Sequence, residues 1–75
     1  MFRFRLKELI ADKAFRENRR ITIEEVSKQT GVHRTTLSKI ANTVGYSTTT
    51  DVLDALCNYF ECEIGDLAEH IKDGV

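Results

Sequence analysis

A chain of 75 residues, 41% hydrophobic and 31% charged, with no proline and a formal net charge of −1, has room for one domain spanning residues 1–75. That size disfavours a deep catalytic cleft, and no apolar run approaches the ~20 residues that span a bilayer. The near-neutral total hides a polarised chain: residues 1–42 hold ten Lys and Arg against five acids, and residues 43–75 hold Lys72 against seven, so a basic face and an acidic face can coexist.

In chain order, Phe2-Arg3-Phe4-Arg5-Leu6-Lys7 comes first, alternating apolar and basic residues with the period of a strand. Its charges rule out a secretory signal, which points to an intracellular, cytoplasmic protein. From Leu6 the period becomes helical, with Leu9, Ile10 and Ala14 on one stripe and Phe15 as a further candidate for it, and the helix should fade near Asn18-Arg19-Arg20. Thr22 with Glu25 three residues later reads as a capping box opening a second helix, which Gly31 ends. A third helix runs from His33 to Asn42, with Leu37, Ile40 and Ala41 as its apolar side. Residues 43–50 are turn formers, and Thr49 or Thr50 caps a fourth helix carrying Val52, Leu53, Leu56, Cys57 and Phe60. After a turn at Glu61-Cys62-Glu63, the residues Ile64, Leu67, Ala68 and Ile71 suggest a fifth helix. The expected fold is all-α, five short helices with a candidate N-terminal strand, each too short to be stable unless packed on the others.

The two cysteines, Cys57 and Cys62, are too few for a disulfide framework or a four-ligand zinc site, and His33 and His70 lie far apart in sequence. They read as small apolar residues of the fourth helix and its turn. No nucleophile–base pair, metal cluster or phosphate-cradling Gly-rich loop is present, so neither an enzyme nor a cofactor is expected, nor a small-molecule substrate.

The informative stretch is residues 22–42. Two helices meet at a turn centred on Gly31, with the small Ser27 where they cross and Val26, Val32, Leu37 and Ile40 facing inward. The outward positions of the second of them are then polar: Arg34, Thr35, Ser38, Lys39 and Asn42. A braced surface helix with hydrogen-bonding groups outward fits a DNA major groove, about 12 Å wide.

The run from Thr22 to Asn42 resembles the helix-turn-helix of Cro and phage-repressor-type (Xre-like) regulators. The resemblance extends through Asp51–Leu67, including both cysteines and the Gly65-Asp66-Leu67 triplet, and covers about residues 6–71. It implies a five-helix, lambda-repressor-like DNA-binding domain whose third helix reads base edges of double-stranded DNA. Carried over by position, Arg34, Thr35, Ser38 and Lys39 are the base readers, with Arg34 suited to guanine O6 and N7. Thr22 and Asn42 become phosphate contacts. Two positions depart from the pattern: Ile23 stands where relatives often carry Gln, and Thr43-Val44 replaces a frequent Gly-Lys.

Other residues leave alternatives open. His33, where Ser or Asp is the commoner cap, is either a phosphate contact or an exposed loop residue. Tyr46 either touches the DNA backbone or packs over its loop, and His70 reads as helix surface. The Phe2–Leu6 segment suggests a homodimer in which residues 2–6 pair with their copy as a ribbon, or an arm placing Arg3 and Arg5 on phosphates. The function expected is a sequence-specific transcriptional regulator, a repressor that occludes its site. The competing reading is a protein–protein interaction module that uses the acidic residues 51–73 as a docking face.

Overall fold

The computed structural model describes residues 1–72. Asp73, the last acid of the C-terminal half, lies outside them. Among the described residues there are five helices and two strands, in the order β1 (Phe2–Phe4), α1 (Leu6–Glu17), α2 (Ile23–Thr30), α3 (Arg34–Asn42), α4 (Thr50–Phe60), α5 (Ile64–Leu67) and β2 (Ala68–His70).

The helix ends follow local chemistry. Asn18 closes α1 in the left-handed conformation, φ 52°, which Asn tolerates better than most residues. Thr22 Oγ1 accepts from the Glu25 backbone N–H at 3.1 Å, and Thr49 Oγ1 accepts from that of Val52 at 3.3 Å. Gly31 closes α2 at φ 76°. A Cβ built there meets nothing within 4 Å, so the cost of a side chain is a backbone cost. Gly31→Val should therefore lose about 1–2 kcal/mol in urea unfolding, with Gly31→Asn losing less. Equal stability of all three proteins would contradict a conformational role for this glycine.

Every helix contributes to one core. Leu6 comes from α1, Val26 from α2, Leu37 and Ile40 from α3, Leu56 and Phe60 from α4, and Leu67 from α5. Ile21 and Val32, on the connections flanking α2, complete it. Among the described residues no polar or charged side chain is fully buried.

The five expected helices and the N-terminal strand are present, and the chain departs from the expectation only after Leu67, where a second strand follows. The period-two segment is a strand, but its partner lies in the same chain. β1 pairs antiparallel with β2, Phe2 opposite His70, Arg3 opposite Glu69 and Phe4 opposite Ala68. The fifth helix accordingly stops at Leu67, and Ala68 and Ile71 belong to an extended segment. His70 is a strand residue whose ring stands edge-on to Phe2 at 5.3 Å. The backbone carbonyl of Phe2 also accepts from the Gly45 N–H at 2.8 Å. β1 thus has β2 along one edge and the Gly45 N–H at one point of the other. Arg3 and Arg5 both pair with Glu69, at 3.1 and 3.4 Å.

A surface network joins α1, α2 and α4. Arg19 reaches Glu17 at 2.8 Å and grips both carboxylate oxygens of Glu25 at 2.8 and 2.7 Å. Lys13 bonds Glu17 at 2.8 Å and lies over the Tyr59 ring at 4.8 Å. Glu25 is therefore turned toward Arg19, and the capping box at Thr22 has only its threonine half. Lys13 and then Arg19 hold the Glu17 carboxyl below the usual carboxylate range, and Arg19 does the same for Glu25. Carboxylates lowered in the folded state stabilise it above their unfolded values, and that contribution disappears as pH falls through the folded values. The thermal midpoint should therefore drop as the pH falls below the ordinary carboxylate range. Arg19→Met should lower it at neutral pH and make the acid drop shallower. An acid drop unchanged in Arg19→Met would remove the network as its source.

Candidate nucleic-acid interface

The geometry of the interface begins at the turn between α2 and α3. The Gly31 N–H donates to the Ser27 carbonyl at 2.9 Å, and the Ser27 hydroxyl donates to the Val32 carbonyl at 2.7 Å. The Thr30 hydroxyl donates to the Val26 carbonyl at 2.7 Å and accepts from the Val32 N–H at 3.2 Å. Ser27 is thus more than a small residue at a crossing: with Thr30 it ties the turn to α2 through three bonds. The hydroxyls are the signal that a reading based on size alone passes over.

His33 is the N-cap of α3, not a loose loop residue. Its Nδ1 accepts from the Thr35 backbone N–H at 3.1 Å. An accepting Nδ1 requires a neutral ring with its proton on Nε2. That N–H belongs to an exposed side chain at the start of α3 and is available to an acceptor such as a phosphate oxygen.

From this cap, α3 buries Leu37 and Ile40 and exposes Arg34, Thr35, Ser38, Lys39 and Asn42. Helical spacing sets these five positions along one stripe opposite the core. The stripe carries two cations and three uncharged polar groups with no carboxylate among them. Arg34, Ser38 and Asn42 already have partners. Arg34 Nη1 lies 3.1 Å from Glu24 Oε1, in the first turn of α2. Asn42 Nδ2 donates to the Ser38 carbonyl at 2.9 Å, bringing Asn42 back onto its own helix. Thr22 is exposed beside the N-terminus of α2.

The departures from the family pattern have local explanations. Ile23 is half-buried and helps line an apolar groove of about 210 Å³ with Ile10, Ile21, Ser38 and Ala41, so it packs where a glutamine would present an amide. Past the end of α3, the basic side chains of Arg3, Arg5 and Lys7 border the groove formed with Asn42, Thr43 and Val44. Glu8 lines the same groove, and Arg3 and Arg5 are paired with Glu69. Tyr46 packs against the core and borders the groove that contains Phe2 and Phe4. Cys57 and Cys62 are free thiols, half-buried at the end of α4. Burial, with Cys57 alongside, pushes the Cys62 thiol up to about 11, which keeps it protonated and a poor nucleophile.

Two helices locked across a glycine turn, the second capped, anchored by buried leucine and isoleucine and polar along its outer stripe, define a helix-turn-helix DNA-binding domain. Residues 5–73 match the family model of the Cro/C1-type HTH DNA-binding domain, and the chain belongs to that family. Comparisons with curated proteins and with solved structures find no match. The protein is therefore a DNA-binding regulator in the general sense of its family, which is a binding family rather than a catalytic one. Among the described residues no helix is long and apolar enough to cross a membrane.

Proposed function

We propose that the protein is a sequence-specific repressor acting in the cytoplasm as a single domain, which occludes its operator by laying α3 in the major groove of double-stranded DNA. Arg34, Thr35, Ser38 and Lys39 read base edges. Thr22, His33 and Asn42 contact phosphates. The observation that carries this reading is the exposed polar stripe of α3 on a helix whose opposite face, Leu37 and Ile40, is fully buried. Rigid anchoring matters because base readout demands that side chains arrive in register. Selection from random-sequence duplex DNA tests it: a defined site should be enriched, and equal retention of all sequences would refute it.

A homodimer belongs to the same reading, because one module buries too little surface for tight specific binding and two-fold sites suit paired modules. The surface that favours a second copy is made of side chains around β1. Exposed Phe2 and Ile64 border an apolar groove of about 310 Å³ with Phe4, Tyr46, Leu53 and Ala68. Ile64→Asp should convert a dimeric particle to monomer mass in light scattering and separate the two halves of a palindromic site energetically. An unchanged dimer mass would move the interface elsewhere.

A further inference from the structure

Glu24 poses a problem that neither stability nor DNA affinity solves. Its carboxylate meets Arg34 at 3.1 Å across ten residues of chain, yet the two side chains are 70% and 66% exposed. Exposed pairs of this kind contribute little to folding. An acid at the start of α2 also faces phosphates in the reading above, and there it repels the duplex.

The contact becomes intelligible through the chemistry of Arg34. A guanidinium presents five N–H donors in one plane. Glu24 engages Nη1, which leaves the Nε–Nη2 edge for a second planar partner. Two parallel donors are what guanine O6 and N7 accept. A long arginine otherwise loses much rotamer freedom on binding, and an acid that fixes the plane beforehand reduces that cost.

We infer that Glu24 is a positioning residue that sets the sequence specificity of Arg34, at the expense of affinity for duplex DNA in general. This rests on Arg34 reading a base. The carboxylate weakens binding to every duplex, and the aligned guanidinium offsets the loss only where a guanine accepts both donors. Discrimination widens although total affinity falls.

The test uses the enriched duplex, the same duplex with 7-deazaguanine at the position protected by Arg34, and a random duplex. Wild type is compared with Glu24→Ala, Glu24→Gln, Arg34→Ala and the Glu24→Ala/Arg34→Ala pair, each checked for an unchanged circular-dichroism melt. Glu24→Ala should bind the random duplex more tightly and lose about fivefold in discrimination against 7-deazaguanine. Glu24→Gln, which keeps an acceptor for Nη1, should gain the same random-duplex affinity but keep most of the discrimination. In the Arg34→Ala background, removing Glu24 should leave discrimination where it was. Wild-type discrimination in Glu24→Ala, while Arg34→Ala destroys it, overturns the positioning role and leaves the readout by Arg34 standing. A loss that persists without Arg34 assigns Glu24 to a base of its own and likewise overturns the inference. No effect of Arg34→Ala on discrimination removes the readout itself, and the positioning role with it.

Discussion

Leu37→Ala should remove a large part of the stability of the domain. Leu37 is fully buried on α3, within the same core as Val26, Ile40 and Leu56. Truncating such a leucine removes its transfer free energy and leaves a cavity, about 2–5 kcal/mol in all. A 75-residue domain has only about 4–11 kcal/mol to lose at typical values per residue. The thermal midpoint should therefore fall by about 10–30 °C. Ser38→Ala, one position along but exposed, should stay within about 0.5 kcal/mol of wild type. A Leu37→Ala melt within a few degrees of wild type would mean that α3 is not anchored as described. DNA binding would be lost in this variant too, but with the fold.

Arg34→Ala should produce the opposite separation, with binding impaired and the fold intact. Its guanidinium is mostly exposed and its ion pair to Glu24 is also at the surface, so stability should change by no more than about 1 kcal/mol. A bidentate arginine–guanine contact discriminates by about 1–3 kcal/mol. Affinity for the enriched site should fall by about 5- to 150-fold, with preference relaxed at one base pair per half-site. Lys39→Ala makes a useful comparison. If Lys39 met only phosphates, its loss would weaken all duplexes alike and reduce the salt slope by about one. Unchanged affinity and unchanged preference in Arg34→Ala would remove α3 as the reading element.

The parts of this molecule legible in its sequence are those governed by neighbours along the chain. The caps at Thr22 and Thr49, the left-handed close at Gly31 and the apolar stripe of α3 each depend on residues within about one or two helical turns. Together they were enough to place α2, the turn and α3, and hence the outward positions 34, 35, 38, 39 and 42. Glu61 shows where local rules stop. The turn at Glu61-Cys62-Glu63 falls where the sequence placed it, but Glu61 closes α4 at φ 52°, a conformation that a glutamate does not signal.

What only the tertiary structure decided are the contacts made across the chain. Ile64, Leu67, Ala68 and Ile71 fit helical spacing, yet the chain extends after Leu67 because β1, more than sixty residues earlier, offers a ladder: the Arg5 N–H donates to the Leu67 carbonyl at 2.7 Å and the Ile71 N–H to that of Met1 at 2.8 Å. Glu25 fits a capping box, but Arg19 supplies a full charge where the box offers a neutral amide. Glu24 and Arg34 were each visible as exposed charges, and nothing in their spacing joins them until the glycine turn folds α2 against α3. Short-range periodicity and capping thus determined the helices and the reading face. The sheet, the ion pairs and the partner of Arg34 were decided by distance in space, since hydrogen bonds and charges act on whichever group the fold brings near.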